Sequence, residues 1–293
     1  MYGNTRNFYT KNSRPQKPEN HKVPHLTPPD KILLSILSRS AHSGLISVPA
    51  AGEVLGLSSH DAALKLASLA RRGWLRRVRR GLYLILPLET DPRRPVISED
   101  SWVLAREVFA PCYIGGWSAA EHWGLTEQLF RETLVITAVP IRQRSVSLLG
   151  HAFRLFQVKP GQAVADASAW RGSERVPVSS AEQTLVDCFQ NPWLCGGVRH
   201  LAEVMREYGA SEQRNMDRLR QTVRRRGKGV VWKRLGFLAE VLWPGEEKMI
   251  EEASDNLSTG AIRLDPKVRA KGRLVRRWGL WVNVDVGGKA EDS

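Results

Sequence analysis

Between Leu57 and Gly81 the chain sets out residue types suited to contact with a polyanion. Asp61, Lys65, Ser68 and Arg72 are spaced to share one face of a helix, with Ser59 and His60 in its first turn. Arg76, Arg77, Arg79 and Arg80 follow closely. From Lys65 to Arg80 there are seven Lys or Arg and no Asp or Glu. Groups of this kind suit a duplex: the first turn reaches base edges and the later cations meet phosphates. Asp61 fits two roles, accepting from a cytosine amino group or capping the helix. An arginine near Gly81 is placed for a minor groove, and the remaining arginines of that turn for phosphate or solvent.

Such groups need a rigid carrier. Ala62, Leu66, Leu69 and Ala70 recur at the i, i+3, i+4 spacing of a buried helix face. Ser58 with Asp61 three residues on is a capping signature, and Gly73 stops the helix. Trp74 to Leu86 reads as two short β-prone runs around a basic turn, with Trp74 and Tyr83 in the hairpin core. Upstream, Pro28-Pro29-Asp30 opens a helix with Ile32, Leu33, Ile36 and Leu37 as its buried stripe, ended by His42-Ser43-Gly44. Val48 to Leu57 supplies a short second helix and a glycine turn. The expected module, residues 27–88, is a winged helix-turn-helix.

The chain of 293 residues has room for about two domains. Its 42% hydrophobic content supports sizeable cores, and its net charge of +14 makes a polyanion the first partner to consider. Residues 1–26 read as a disordered basic arm, 89–97 as a linker, 98–286 as a second, mixed α/β domain, and 287–293 as a tail. The expected class is therefore α+β. In the second domain, Ser98-Glu99-Asp100-Ser101 caps a helix through Val103, Leu104, Val108 and Phe109, and Ser118–Trp123 forms a short helix. Residues 133–139 and 152–158 are strands, and Ser180 with Gln183 forms a capping box. Helices are expected over 198–208, 214–226 and 230–243, and a strand over 278–284.

A second dense cluster, Arg214, Arg218, Arg220, Arg224, Arg225, Arg226 and Lys228, has two readings. It is either a further nucleic-acid or antitoxin surface or a solvated helix face. Helical spacing spreads these side chains over more than one face, so they cannot all meet one ligand.

Catalytic chemistry finds little support. Glu182 and Asp187 lie near each other, but no closely spaced acidic pair sits on a strand as a metal-dependent nuclease needs. A phosphate-cradling glycine loop is absent, and Ser118 lacks the glycines of a nucleophile elbow. His21 and His25 stand without further ligands. Cys112, Cys188 and Cys195 include no CxxC pair, which argues against a zinc site and a disulfide framework. The expectation is no catalytic residue, no metal and no cofactor. No apolar run approaches a membrane span or a signal-peptide core, so a cytoplasmic setting is expected.

Three stretches resemble a known family. Ser118-Ala119-Ala120-Glu121-His122-Trp123-Gly124-Leu125-Thr126-Glu127-Gln128 with the strand after it, Val178 to Asp187, and Arg277-Trp278-Gly279-Leu280-Trp281-Val282-Asn283 are similar to AbiEi-family antitoxins. Arg72 to Tyr83 resembles the winged helix at their N-terminus. The resemblance spans about residues 28–285. Ala181 and Gln183 stand where that family usually carries proline and a basic residue. It implies a cytoplasmic bacterial antitoxin and autorepressor that binds inverted repeats in its own promoter. It also implies a functional partner, a nucleotidyltransferase-fold toxin from the same operon, in many members without a stable complex. Two rival readings are a metal-dependent nuclease or mobile-element-linked protein that uses the winged helix for targeting, and a regulator with no toxin.

Overall fold

The computed structural model describes residues 27–41, 44–86 and 100–287. The proposed basic arm with His21 and His25, the 89–97 linker and the tail beyond Gly287 lie outside them. The chain divides into two compact units near residue 89, except that the hairpin tip, Val78–Leu82, falls with the second; the β-hairpin is taken here with the helices it follows.

The first unit runs α1 (Pro28–Ser40), β1 (Leu45–Ser47), α2 (Val48–Leu55), α3 (Ser59–Arg71), β2 (Leu75–Arg79) and β3 (Leu82–Ile85). Its three strands pair in the order β1-β3-β2. Leu34, Leu37, Ile46, Ala51, Ala62, Leu66, Leu69, Leu75 and Tyr83 form one core, with Trp74 packed against it. Two glycines set how α2 meets α3. Gly56 takes a φ of +63° to end α2, a conformation costly for any residue with a Cβ. A Cβ on Gly52 would come within 3.0 Å of the Leu57 carbonyl, so the turn into α3 folds tightly back on α2, while Ala62 of α3 would lie at ordinary contact distance, 3.7 Å.

The α1 stripe differs from the expected one. Leu34 and Leu37 are buried with Asp30, while Ile32 is 64% exposed. Asp30 joins the buried side, held by the Thr27 hydroxyl beside it and by Arg72, 42 residues away.

The second unit begins with α4 (Ser101–Phe109), capped by the Asp100 carboxylate, which accepts from the backbone N–H of Trp102 and Val103. A six-stranded mixed sheet follows: β4 (Cys112–Ile114), β5 (Glu132–Thr137), β6 (Ser145–Leu148), β7 (His151–Gln157), β8 (Ala167–Arg171) and β9 (Glu174–Val178), in the order β6-β7-β5-β4-β9-β8. Leu134 to Thr137 are all buried, as a run of apolar and β-branched residues in a central strand should be. Helix α5 (Gly116–His122) leaves β4 and starts two residues before the expected Ser118.

Helices α6 (Ala181–Gln190), α7 (Val198–Ala210), α8 (Met216–Arg226), α9 (Gly229–Leu242) and α10 (Glu247–Asp255) continue the same core. A small sheet closes the unit, with β10 (Ile262–Arg263) parallel and β11 (Arg273–Val275) antiparallel to β12 (Leu280–Val282). Trp278, expected to open the last strand, instead ends a short 3-10 turn and is fully buried. At Ser180 only half of the expected capping box forms: its hydroxyl accepts from the Gln183 N–H, but the Gln183 side chain turns away to Asp166 N and Val164 O. Asp166 fills the gap by accepting from both the N–H and the hydroxyl of Ser180.

One buried cation ties this helical layer together. Arg234, 4% exposed, donates to the carbonyls of Phe189 (2.7 Å) and Gln190 (3.2 Å) at the end of α6, and to Leu264 (2.9 Å) and Arg263 (3.4 Å). Burial pushes its guanidinium down to about 10. Arg234→Met orphans buried carbonyls, each worth roughly 1–3 kcal/mol when left unpaired. The variant is expected to lose about 2–4 kcal/mol in urea unfolding. A loss below about half a kcal/mol would mean that the carbonyls find water.

Candidate nucleic-acid interface

Helix α3 owes its start to Ser58 and Asp61. The Asp61 N–H donates to Ser58 Oγ at 3.1 Å, and the Ser58 hydroxyl donates to Asp61 Oδ2 at 2.6 Å. This reciprocal pair is the capping role considered for Asp61, and it occupies one carboxylate oxygen. The helix ends in a Schellman arrangement, with Gly73 N–H donating to Ala70 O and Trp74 N–H to Leu69 O. Ala62, Leu66 and Leu69 are completely buried; Ala70, expected with them, is only half-buried.

The opposite face is open. Ser59, His60, Asp61 and Lys65 are exposed, and Ser68 is half-buried. Two residues missing from the sequence-based set share this surface: Arg71, exposed at the last position of the helix, and Leu64, 58% exposed between His60 and Lys65. Leu64 was legible in principle, because it falls outside the buried 62-66-69 stripe. In the hairpin, Arg77, Arg79 and Arg80 are exposed and Arg76 is half-buried. Strand alternation puts Arg77 and Arg79 on one side of β2 and Arg76 on the other.

Arg72 has a different occupation. Its Nη1 lies 2.6 Å from Asp30 Oδ2, whose side chain is only 7% exposed. The Thr27 hydroxyl donates to the same oxygen at 2.5 Å. That hydroxyl first, and then Arg72, hold the Asp30 carboxyl below the ordinary carboxylate range against the cost of burial. Arg72 thus clamps α1 to the end of α3, a use invisible to helical-wheel reasoning because the partners lie 42 residues apart.

In the second unit the α8 cluster is largely matched internally. Arg218 reaches buried Glu182 at 3.3 Å, and Arg220 and Arg224 share Glu252 of α10. Arg214 pairs with Glu246, and Arg225 lies 3.8 Å from Asp166. Arg226 donates to Val164 O at 3.2 Å, and Lys228 is exposed beside a cavity. Glu182 and Asp187 are engaged separately, Glu182 accepting from Tyr208 OH (3.1 Å) and Asp187 from Tyr113 OH (2.8 Å). Among the described residues, no group of three or more His, Cys, Asp or Glu could hold a metal ion. All three cysteines are buried and free.

With this geometry in place the first unit can be compared with known proteins. Residues 35–85 match the model of a family described as transcriptional regulator, AbiEi antitoxin. The AbiEi match runs from α1 to the end of β3 and so takes in the whole outward face of α3 and the arginine hairpin. Over nearly the full chain the fold is similar to the crystal structure of the RV2827C protein from Mycobacterium tuberculosis. The TM-score is 0.55 at 18% identity, covering 90% of this chain and 94% of that one. At that identity the likeness speaks for the fold alone. Comparison with curated proteins finds no match. Among the described residues no helix is long and apolar enough to cross a membrane.

Two measurements check this geometry. Ser58→Ala removes the cap of α3 and is expected to cost about 1 kcal/mol of stability in the first unit, read by denaturant unfolding. The Asp30 carboxyl is held low, so its contribution is complete above its ordinary value of 3.8 and lost as pH falls through the lower folded value. The difference in Tm between the native chain and Asp30→Asn should therefore be full at about pH 6 and close below pH 3.8. A gap that stays constant across that range would show that the carboxylate charge is irrelevant to the clamp.

Proposed function

We propose that the first unit is a winged helix-turn-helix that binds duplex operator DNA, and that the chain is a cytoplasmic transcriptional autorepressor and antitoxin. The support for the module is its topology. A helix, a short strand, two helices meeting at a glycine turn and then a β-hairpin, with the first strand pairing onto the hairpin, is how a winged helix is built. The one observation that carries the reading is the outward face of α3. It begins at a capped N-terminus and offers hydroxyl, imidazole, carboxylate, leucine and lysine side chains with no packing role. Exposed hairpin arginines follow it in the same segment.

In this reading α3 enters the major groove with Ser59, His60 and Asp61 toward base edges. The free oxygen of Asp61 accepts from a cytosine amino group, and Leu64 offers an apolar contact for a thymine methyl. Lys65, Arg71 and the exposed hairpin arginines take phosphates, with one arginine beside Gly81 available for a minor groove. Arg72 drops out as a direct contact and acts by holding α3 in place.

The AbiEi match supports the regulatory role and makes an operon partner the natural target of the antitoxin activity. That partner is a nucleotidyltransferase-fold toxin, and the operator is an inverted repeat in the chain's own promoter.

Electrophoretic mobility shift on the DNA upstream of the gene tests the mechanism. Lys65→Ala, Arg77→Ala and Arg79→Ala should each weaken binding and flatten the log–log dependence on salt by about 0.9 for every phosphate no longer neutralised. Unchanged affinity in the triple variant would remove the mechanism. Co-expression with the adjacent gene, scored by growth, tests the antitoxin role: rescue from a toxic partner supports it, and the lack of any toxic neighbour leaves a regulator alone.

A further inference from the structure

The second unit contains a cavity of about 720 Å³. Its floor is apolar and aromatic, with Tyr113, Ile136 and Phe156 from the sheet and Val186 and Leu194 from the helical side. Its rim is cationic: Lys159, Arg225, Arg226 and Lys228 all border it, against one carboxyl, Asp187. Between floor and rim lie the Asp187 carboxyl and the side-chain amides of Gln190 and Asn191.

We propose that this cavity binds a nucleotide, its phosphate against the Lys159–Arg226–Lys228 rim and its ring against Phe156. Size fits first: small-molecule sites span roughly 300–1,000 Å³ and are apolar with a few convergent polar groups. The charge pattern fits next. Lys159 and Lys228 are exposed cations on two segments far apart in sequence, brought to one rim by the fold. Arg226 uses one guanidinium nitrogen on the Val164 carbonyl, which fixes the side chain at the edge and leaves its other donors for a phosphate. Arg225 is partly matched by Asp166 at 3.8 Å, so the rim's phosphate-binding charge rests on the other three.

Asp187 gives the site its selectivity for a base over a simple anion. Tyr113 OH donates to its Oδ2 at 2.8 Å and orients the carboxyl, which the Gln183 side chain also neighbours. An unpartnered phosphate would be repelled by a carboxylate in the wall, whereas a ring N–H or amino group would be matched by it. Burial pushes this carboxyl up to about 6, with Tyr113 and Arg226 opposing the rise and Asp166 adding to it. A free mononucleotide and the terminal nucleotide of a single strand present the same chemistry here. The α3 face belongs to the other unit and reads a duplex, so the two sites are separate.

Calorimetric titration of the full chain with ATP, GTP, CTP and UTP, with inorganic phosphate, and with a short single-stranded RNA tests the assignment. At least one mononucleotide or the RNA is expected to bind, and phosphate alone at least ~10-fold more weakly, since stacking and base-edge contacts add to the phosphate term. Mononucleotide binding identifies the free ligand, and binding of the RNA alone identifies a strand end. Lys159→Ala with Lys228→Ala, both surface changes that should leave the melting curve in place, is expected to weaken binding about 10-fold or more. Asp187→Asn is expected to change the ranking of the four bases. Lys65→Ala, on α3, should leave nucleotide binding untouched. Absence of any binding, equal binding of inorganic phosphate, or full binding by the double lysine variant would overturn the proposal.

Discussion

Ala62, Leu66 and Leu69 are fully buried in the core of the first unit, and this fixes α3 in rotation. A helix pinned on one side has one direction left in which to present polar groups. Everything on its outward face then follows from the sequence register. His60, Asp61, Leu64 and Lys65 point away from the core because 62, 66 and 69 point into it, and Ser59 is exposed because it opens the helix. The cap at Ser58 and the Schellman end at Gly73 fix the length of the element, and the Asp30–Arg72 bridge ties its far end to α1. Pinning of this kind is what lets surface side chains discriminate among ligands, since the ordering cost is met during folding and not at binding.

Charge in the second unit obeys a different logic. Seven basic residues between Arg214 and Lys228 look like a ligand surface on a linear reading. The fold directs most of that charge to Glu182, Glu246, Glu252 and Asp166. The arginine ends of most of these pairs are open to solvent, while the carboxylates are largely buried. Their effect here is positional: Glu252 gathers two arginines of α8 onto α10. The buried network around Asp265 works likewise, its carboxylate accepting from Val198 N–H at 3.0 Å while Asn283 bridges its backbone N–H and carbonyl. Glu182, the residue a nuclease would need, is held by Tyr208 and Arg218 in the same style and opens onto no metal cluster among the described residues.

Local signals in the sequence are sufficient for what is local in the fold. The α3 stripe, its cap, the hairpin core with Tyr83 and Trp74, the two long strands and helices α6 to α9 all follow from spacing, capping and β-propensity. What escapes such reading is what depends on distant partners. Arg72 reads as a surface cation until Asp30 arrives from 42 residues away. The stripe of α1 shifts because a charged residue joins it, which no hydrophobic pattern can announce. Helix α10 lies outside the expected elements, and with it the carboxylates that neutralise α8. Strands β1, β4 and β10, two or three residues each, are too short to show a period at all. The cavity is beyond any linear reading, since its rim joins Lys159 to Lys228 only through the sheet and helices between them.

Leu64 shows how such an interface is weighted. An exposed leucine, 58% accessible among polar neighbours, gains nothing for the folded chain. Placed one position before Lys65 on a helix otherwise bearing small or charged outward groups, it is the kind of group that a duplex covers when it docks. Burial of an apolar contact of that size contributes on the order of 1 kcal/mol from the area removed from water. It does so without the salt sensitivity of a phosphate contact. In the proposed docking, charge from Lys65, Arg71 and the hairpin would set how strongly any duplex is held, while Leu64, His60 and the unbonded oxygen of Asp61 would set which one. Neither set substitutes for the other, because screening by salt removes the first and leaves the second.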